Sequence, residues 1–364
     1  MTSPTPVDKL YEIGTSTWLD DLSRDRIMSG NLDEIKASKS IKGVTTNPAI
    51  FAKAMSGGNA YDVQLADLKA AGSDVDTAVY AMSVKDVQDA CDLFADVFET
   101  TGGKDGRVSI EVDPRYAADE ARTVEHAAEL SALVDRPNVM IKIPATDESL
   151  PAITATLAAG ISVNVTLIFS VDRYRNVIAA FREGVRQAEA NGHDVSQIHS
   201  VASFFVSRMD TEVDNRLETI GTEEALALRG QAGIANARLA YQVFLDEFAD
   251  MSRYPAGTNM QRPLWASTGV KNPDYPATMY VTELAGPDTV NTMPEATLDA
   301  VLDGDAVTGD TLTGTAAQAR ETFDKLEAVG IDFDDVVAVL EREGVDKFVE
   351  AWQELLDSMT ENLK

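Results

Sequence analysis

Short β-type runs alternate with longer helical runs along the chain, and this alternation predicts an α/β fold, a (β/α)8 barrel. Eight such runs in 364 residues fit the strand number and length of this barrel class. Polar and apolar residues also alternate along several runs, as expected where one strand face points inward and the other packs against helices. An open doubly wound sheet rarely carries so many polar residues on strands covered on both faces.

The predicted strands are short runs rich in β-branched and aromatic residues. They cover residues 16–20, 43–46, 107–112, 138–143, 161–168, 199–205, 262–268 and 289–293. Helical periodicity predicts helices over residues 117–134, 147–159, 171–190 and 222–249. Ser170 is placed to cap the helix that begins at Val171.

Helical segments beyond those of a minimal barrel are expected as additions to it. We predict insertions at about residues 74–101 and 222–250, and C-terminal helices at about 315–364. No internal repeat or linker divides the chain, so we expect one domain over residues 1–364. The C-terminal helices have two possible positions, on the outside of the barrel or over its mouth.

The period of two assigns the two faces of three central strands. The residues expected to face inward are Ser109, Glu111, Met140, Lys142, Ser162, Asn164 and Thr166. Those expected to face the helices are Val108, Ile110, Val112, Val139, Ile141, Ile143, Val163, Val165 and Leu167. Polar residues at the C-terminal ends of the inward faces lie where barrel enzymes place their chemistry.

Composition excludes several classes of protein. The formal charge is −29 and the pI is about 4.3, which argues against nucleic-acid binding because phosphate backbones need clustered cations. Cys91 is the only cysteine, so no intramolecular disulfide forms, and its helical spacing with Phe94 and Phe98 predicts a core position. The first residues lack a signal-peptide pattern and no run reaches membrane-spanning length, so we expect a cytoplasmic protein without membrane contact.

Lys142 is the sharpest chemical feature, since it lies on an apolar strand and is followed by Pro144. Desolvation disfavours an ammonium and frees the amine to attack carbonyl groups. The alternative is a strand-end lysine whose head reaches water. Glu111 and Asp20 end neighbouring runs and could move protons for such an amine. Alternatively, Glu111 forms a salt bridge and Asp20 caps a helix.

Further polar residues at strand ends could bind a ligand. Asn47 precedes Pro48 at a strand-to-helix turn, where its amide could bind hydroxyls or serve the turn alone. Arg208 follows Ser203 at a helix start, a natural phosphate site or a solvated cation. Ser267, Thr268 and Lys271 offer a similar set after the seventh run. None of His126, His193 and His199 has metal-ligand spacing, so no metal site is expected, and only His199 could approach a site.

Six motifs in order resemble the transaldolase family. They are GVTTNPAIF, SIEVDPR, NVMIKIPAT, SVNVTLIFS, VASFFVSRMD and RPLWASTGVKNP, within about residues 15–295. The resemblance implies a class I aldolase-type barrel with a Schiff-base lysine on the fourth strand, and Lys142 matches it. It implies transfer of a dihydroxyacetone unit from sedoheptulose 7-phosphate to glyceraldehyde 3-phosphate, giving erythrose 4-phosphate and fructose 6-phosphate in the non-oxidative pentose phosphate pathway, without metal or organic cofactor.

The resemblance also implies a role for each matching residue. Glu111 matches the carboxylate that works through a catalytic water, Thr166 the residue that positions this water, and Asp20 the acid/base at the hydroxyl where the carbon–carbon bond breaks. The residues that match substrate ligands are Asn47 and Asn164 for the dihydroxyacetone hydroxyls, Ser203 and Ser267 on the substrate side, and Arg208 for the phosphate.

The chain departs from shorter family members, which carry a second phosphate-binding arginine in a Ser-Phe-Arg element. The matching place here reads Ser267-Thr268-Gly269, so Lys271 is the hypothesis for the second cation and Arg262 its competitor. The motif style resembles the longer bacterial and plant branch, and the oligomeric state stays open between monomer and homodimer.

Three other functions are weighed against the transferase. A fructose-6-phosphate aldolase-like enzyme usually has Gln in the place of Glu111, so Glu111 favours the transferase. A non-catalytic sugar-phosphate-binding barrel predicts loss of Lys142, Glu111 or Asp20, and all three are present. A phosphate-binding isomerase needs no imine and would tolerate modification of Lys142.

Overall fold

The computed structural model describes residues 4–304 and 307–363. Eight parallel strands form a closed barrel in sequence order, with β8 paired to β1, which confirms the predicted fold class. The strands are β1 (Thr15–Leu19), β2 (Gly43–Val44), β3 (Arg107–Glu111), β4 (Val139–Pro144), β5 (Val163–Ile168), β6 (Ser200–Phe205), β7 (Arg262–Ala266) and β8 (Thr289–Met293). Each lies within the run predicted for it, to within one residue.

Seventeen α-helices occur within the described residues. The first nine are α1 (Pro6–Ile13), α2 (Arg24–Met28), α3 (Asn31–Ser38), α4 (Pro48–Ser56), α5 (Asp62–Ala70), α6 (Val75–Leu93), α7 (Ala95–Thr100), α8 (Glu120–Val134) and α9 (Leu150–Ala158). The others are α10 (Val171–Ala190), α11 (Ser207–Ile220), α12 (Glu223–Leu226), α13 (Ala232–Phe248), α14 (Met279–Thr282), α15 (Glu295–Leu302), α16 (Ala316–Ala328) and α17 (Phe333–Leu363). None of these helices is both long and apolar enough to cross a bilayer.

The helix predictions hold in part. Helix α10 has the predicted bounds, and the Ser170 hydroxyl accepts from the Arg173 N–H as its N-cap. The segment predicted as one helix over residues 222–249 is two, α12 and α13. They are separated near Gly230, whose φ of 71° is left-handed and whose N–H donates to Asp214. The predicted helical segment 74–101 is divided between α6 and α7, with Cys91 buried as expected.

The predicted strand faces are confirmed for β3 and β4, whose outward residues join the layer between barrel and helices. On β5, Val163 and Val165 also join that layer, but the outward prediction for Leu167 is wrong. Leu167 has a left-handed φ of 60°, and the β5–β6 register shifts between Val165 and Ile168. This bulge breaks the period of two and places Leu167 beside the C-terminal helix.

Helix α17 lies across the C-terminal ends of the strands and contacts α4, α6, α11 and β5. A Cβ at Gly344 would lie 3.0 Å from the Phe169 ring, so glycine permits the close approach of α17 to the residues after β5. Arg173 donates to Glu341 at 3.1 Å and anchors the same stretch. Of the two positions left open by the sequence, the helix therefore occupies the one over the barrel mouth.

The opposite end of the barrel is closed by a buried polar network around Asp105. Its carboxylate accepts from Ser16 Oγ at 2.8 Å, Trp18 Nε1 at 3.0 Å and Arg262 at 3.2 Å. Arg262 also donates to the Lys104 carbonyl. Because Arg262 begins β7 and is held at this end, the structure places it away from the C-terminal strand ends.

This network predicts a large stability effect. Asp105→Ala leaves the buried Arg262 guanidinium without its carboxylate, so we expect the free energy of unfolding to fall by about 3–5 kcal/mol. Urea unfolding followed by circular dichroism measures the loss. Asp92→Ala, which removes the exposed partner of Arg136, is the control and should cost less than about 1 kcal/mol. Equal losses in the two variants would contradict the assigned role of the network.

Candidate active site

A cavity of about 180 Å³ opens among the C-terminal ends of the barrel strands, below α17. Most of its lining is polar and comes from the ends of β1, β2, β4, β6, β7 and β8. The lining residues are Asp20, Thr45, Asn47, Lys142, Ser203, Phe205, Arg208, Ala266, Ser267, Thr268, Gly269, Lys271, Thr292, Pro294 and Phe348. Seven of the ten site residues expected from the sequence are among them, and Glu111, Thr166 and Asn164 are not.

Lys142 lies on the inner face of β4 and is only 5% exposed. Strand register places it between Glu111 on β3 and Asn164 on β5. Its Nζ donates to the Thr46 carbonyl at 2.9 Å and lies 3.8 Å from Glu111 Oε2. The single direct hydrogen bond leaves the amine available to a ligand in the cavity.

Glu111 is 6% exposed, and its carboxylate oxygens form no hydrogen bond with the described residues beyond the contact to Lys142. Burial raises the pKa of Glu111 to about 7, because desolvation outweighs the opposing effect of the Lys142 ammonium. The carboxyl can therefore gain and lose a proton near neutral pH. This is the property required of a general acid/base.

Asp20 directly follows β1 and faces the same cavity. Its Oδ1 accepts from Thr45 Oγ1 at 2.8 Å, and its backbone N–H donates to the Met293 carbonyl. Burial raises the pKa of Asp20, while the charges of Lys142 and Lys271 and the Thr45 hydroxyl oppose that shift. The second carboxylate thus lines the cavity and is held there by hydrogen bonds.

A buried chain of polar side chains supports the floor of the site. Ser203 Oγ donates to Asn164 Oδ1 at 2.7 Å, and Asn164 Nδ2 donates to Ser109 Oγ at 3.1 Å. These bonds fix the amide orientation of Asn164. Thr166 lies two residues further along the inner face of β5, and its hydroxyl has no hydrogen-bond partner among the described residues.

Asn47 is the N-cap of α4, where its Oδ1 accepts from the Ile50 N–H at 3.0 Å. Pro48 at the first helical position needs no N–H partner, which fits this strand-to-helix turn. Asn47 both caps α4 and lines the cavity, so its proposed roles in the turn and in ligand binding are compatible.

The cationic side of the cavity is formed by Arg208 and Lys271. Arg208 lies in the first turn of α11, with its guanidinium 5.2 Å from the Phe205 ring centroid. Its buried Nη1 has no hydrogen-bond partner among the described residues, and burial lowers its pKa. Ser267 has a left-handed φ of 54° and its Oγ lies 2.9 Å from Ser207 Oγ. These groups and the N-terminus of α11 form a suitable anion site.

The expectation that one histidine approaches the site is wrong. His199 was the one histidine expected to approach a site, but it precedes β6 at the other end of the barrel, near Asn259 and Gly103. Within the described ranges, no group of three or more potential metal-ligating side chains is brought together.

Phe348 is one of three notable lining residues that sequence reasoning missed. Its ring centroid lies 5.8 Å from Lys142 Nζ, and it reaches the cavity from α17. Thr45 and Thr292, joined by a 2.5 Å hydroxyl contact beside Asp20, were also missed. The sequence predicts C-terminal helices, but helical periodicity alone cannot identify which apolar residue of the last helix lies near Lys142, about 200 residues earlier in the chain.

The arrangement combines a buried amine, two carboxylates with raised pKa values and a cationic pole. Such a set can support nucleophilic attack on a carbonyl with proton transfer, in a ligand that carries an anionic group.

Comparison with known proteins agrees with this chemistry. The sequence profile of the family described as Transaldolase/Fructose-6-phosphate aldolase matches residues 17–359. A protein from Mycobacterium ulcerans named transaldolase is 61% identical over 353 residues, which cover 96% of this chain and 95% of that protein. Another transaldolase, from Mycolicibacterium paratuberculosis, is 58% identical over 368 residues, covering 100% and 99%. The chain therefore belongs to the transaldolase/fructose-6-phosphate aldolase family of enzymes.

Proposed function

We propose that the protein transfers a dihydroxyacetone unit from sedoheptulose 7-phosphate to glyceraldehyde 3-phosphate, giving erythrose 4-phosphate and fructose 6-phosphate. The reaction runs through a Schiff base on Lys142 in the non-oxidative pentose phosphate pathway of the cytoplasm. The observation that carries this proposal is the Lys142 amine, 5% exposed, 3.8 Å from Glu111 and facing a polar cavity at the C-terminal strand ends.

The first step is attack of the neutral Lys142 amine on the ketone carbon of the donor sugar. The carbonyl oxygen gains a proton to give a carbinolamine, which then loses water to give a protonated imine. Glu111 serves both proton transfers through a water molecule held by Thr166. A carboxyl with a pKa of about 7 suits this task because it is partly protonated near neutral pH.

The second step breaks the bond between the third and fourth carbons of the donor. Asp20 takes the proton of the hydroxyl on the fourth carbon, and the bonding electrons move into the protonated imine as an enamine. Erythrose 4-phosphate leaves as the aldehyde. The enamine carbon then attacks the aldehyde of glyceraldehyde 3-phosphate, Asp20 returns its proton to the new hydroxyl, and hydrolysis of the imine releases fructose 6-phosphate.

Substrate placement follows from the polarity of the cavity. Asn47, Asn164 and Ser203 surround the lysine and suit the hydroxyls of the dihydroxyacetone unit. Arg208, Ser267 and Lys271 suit the phosphate, since the guanidinium has an unpartnered Nη1. Phe205 and Phe348 line the space near the amine and limit water, which would otherwise protonate the enamine.

Borohydride trapping tests the covalent intermediate. With fructose 6-phosphate and borohydride, we expect a reduced three-carbon adduct on Lys142, located by peptide mass spectrometry. Lys142→Met should show no adduct, whereas the control Lys104→Met, at the other end of the barrel, should label normally. An adduct on a different lysine, or none, would contradict the proposal. Adding erythrose 4-phosphate then separates a transferase, which forms a seven-carbon product, from an aldolase, which releases dihydroxyacetone.

The raised pKa of Glu111 predicts an acidic limb in the pH profile. Its carboxylate is the proton acceptor, so turnover should fall as pH drops through about 7. Glu111→Gln should lower kcat by about 10²–10⁴-fold and remove this limb, as measured by steady-state kinetics from pH 5 to 9. Glu125→Gln, on the outer helix α8, is the matched control and should leave the profile unchanged. If Glu111→Gln kept the acidic limb of the wild-type enzyme, a group other than Glu111 would be responsible for that limb.

The cationic side of the cavity predicts a selective loss of affinity. Lys271→Ala should raise KM for fructose 6-phosphate about tenfold with a small change in kcat, because it removes one charge-assisted contact to phosphate. Arg262→Lys, in the network at the other end of the barrel, should keep the wild-type KM. If KM rose in Arg262→Lys and stayed at the wild-type value in Lys271→Ala, Arg262 would be the second phosphate contact.

A further inference from the structure

A second, smaller cavity is lined by Glu111 and by residues of α4, α6 and α17. It has a volume of about 10 Å³ and does not include Lys142 in its lining. The residues around it are Asn47, Pro48, Phe51, Tyr80, Ser83, Ile110, Glu111, Val112, Pro114 and Trp352. Trp352 reaches it from α17, four residues after Phe348, with its ring centroid 4.8 Å from that of Tyr80.

Some polar groups around this cavity have hydrogen-bond partners, and others have none among the described residues. Asn47 Oδ1 accepts from Ile50, Ser83 Oγ donates to the Val79 carbonyl, and Tyr80 Oη donates to the Glu111 carbonyl. The indole N–H of Trp352 finds no acceptor among the described residues, although this side chain is only 3% exposed.

The unsatisfied donor of Trp352 has a natural counterpart in the carboxylate of Glu111. Both carboxylate oxygens lack a hydrogen-bond donor among the described residues, apart from the 3.8 Å contact with Lys142. A buried indole N–H and a buried carboxylate each lose free energy when left without a partner. A cavity of this size has room for one water molecule, provided that two or more polar groups line it.

We propose that one buried water molecule joins the Trp352 indole N–H to the Glu111 carboxylate, which makes Trp352 a positioning residue for the proton-transfer group. The water accepts from Nε1 and donates one hydrogen to a carboxylate oxygen. Tyr80 and Ser83, which also line the cavity, are the candidate acceptors for its second hydrogen. The inference rests on the function proposed for Glu111, while the water link itself is independent of turnover.

The link gives the C-terminal helix an influence on protonation at the site. The charged or titratable groups around Glu111 are Lys142 on β4, Asp20 after β1 and Tyr80 on α6. Lys142 favours the carboxylate, whereas Asp20 and burial disfavour it. A donated hydrogen bond stabilises the charged form, so loss of the Trp352 donor should raise the pKa of Glu111.

Nuclear magnetic resonance of the intact ligand-free protein tests the link directly. The chain has three tryptophans, so the indole ¹H–¹⁵N signals can be assigned by single Trp→Phe variants. We expect the Trp352 signal to titrate between pH 5 and 9 and to stop titrating in Glu111→Gln. The Trp265 indole, which donates to the Leu284 carbonyl, is the reference that should not move. A Trp352 signal that is constant with pH, or that still titrates in Glu111→Gln, overturns the proposal.

Kinetics test the consequence for catalysis. Trp352→Phe keeps an aromatic ring but removes the donor, so the acidic limb should move up by about half to one pH unit. Trp265→Phe makes the same chemical change on the outer face of β7 and should leave the limb in place. If the acidic limb of Trp352→Phe stays at the wild-type pH, whatever the change in kcat, then Trp352 only packs against its neighbours and does not position Glu111. Loss of the limb in Glu111→Gln tests the proposed function separately.

Discussion

The contact between Lys142 and Glu111 is the constraint on which the site depends. An acidic and a basic side chain are buried 3.8 Å apart on adjacent strands, in an interior that strongly penalises an unpaired charge. The parallel register of β3, β4 and β5 sets this separation, because it aligns Glu111, Lys142 and Asn164 in one row. Closure of the barrel then brings Asp20, which follows the first strand, into the cavity that Lys142 lines.

The Asp105 network and the candidate active site differ in how far their buried polar groups are hydrogen-bonded. At the N-terminal end, Asp105 accepts three side-chain hydrogen bonds. Its partner Arg262 also donates a hydrogen bond to Ser16 Oγ. At the C-terminal end, Glu111, Thr166 and Arg208 keep polar atoms that have no hydrogen-bond partner among the described residues. The first arrangement stabilises the fold, whereas the second leaves groups ready to bind a ligand. The C-terminal end also places cationic side chains together in one cleft, in a chain whose formal charge is −29.

Sequence reasoning predicts the parts of this protein that depend on short-range periodicity. The alternation in strands three and four gives the inward position of Glu111 and Lys142, and the strand count gives the barrel. It fails at Leu167, where a bulge with a left-handed residue breaks the period, and at Gly230, where a capped turn divides a helix. It also cannot find Phe348 and Trp352, because their approach to the site depends on how α17 crosses the barrel.

The position of α17 in the chain order has a consequence for biosynthesis. This helix follows all eight strands in the sequence, so a ribosome makes it after every residue of the barrel wall. Until then, the cleft around Lys142 lacks the aromatic cover that Phe348 supplies from α17. The enclosed cavity at the strand ends is therefore completed last, when α17 packs through Gly344 against Phe169.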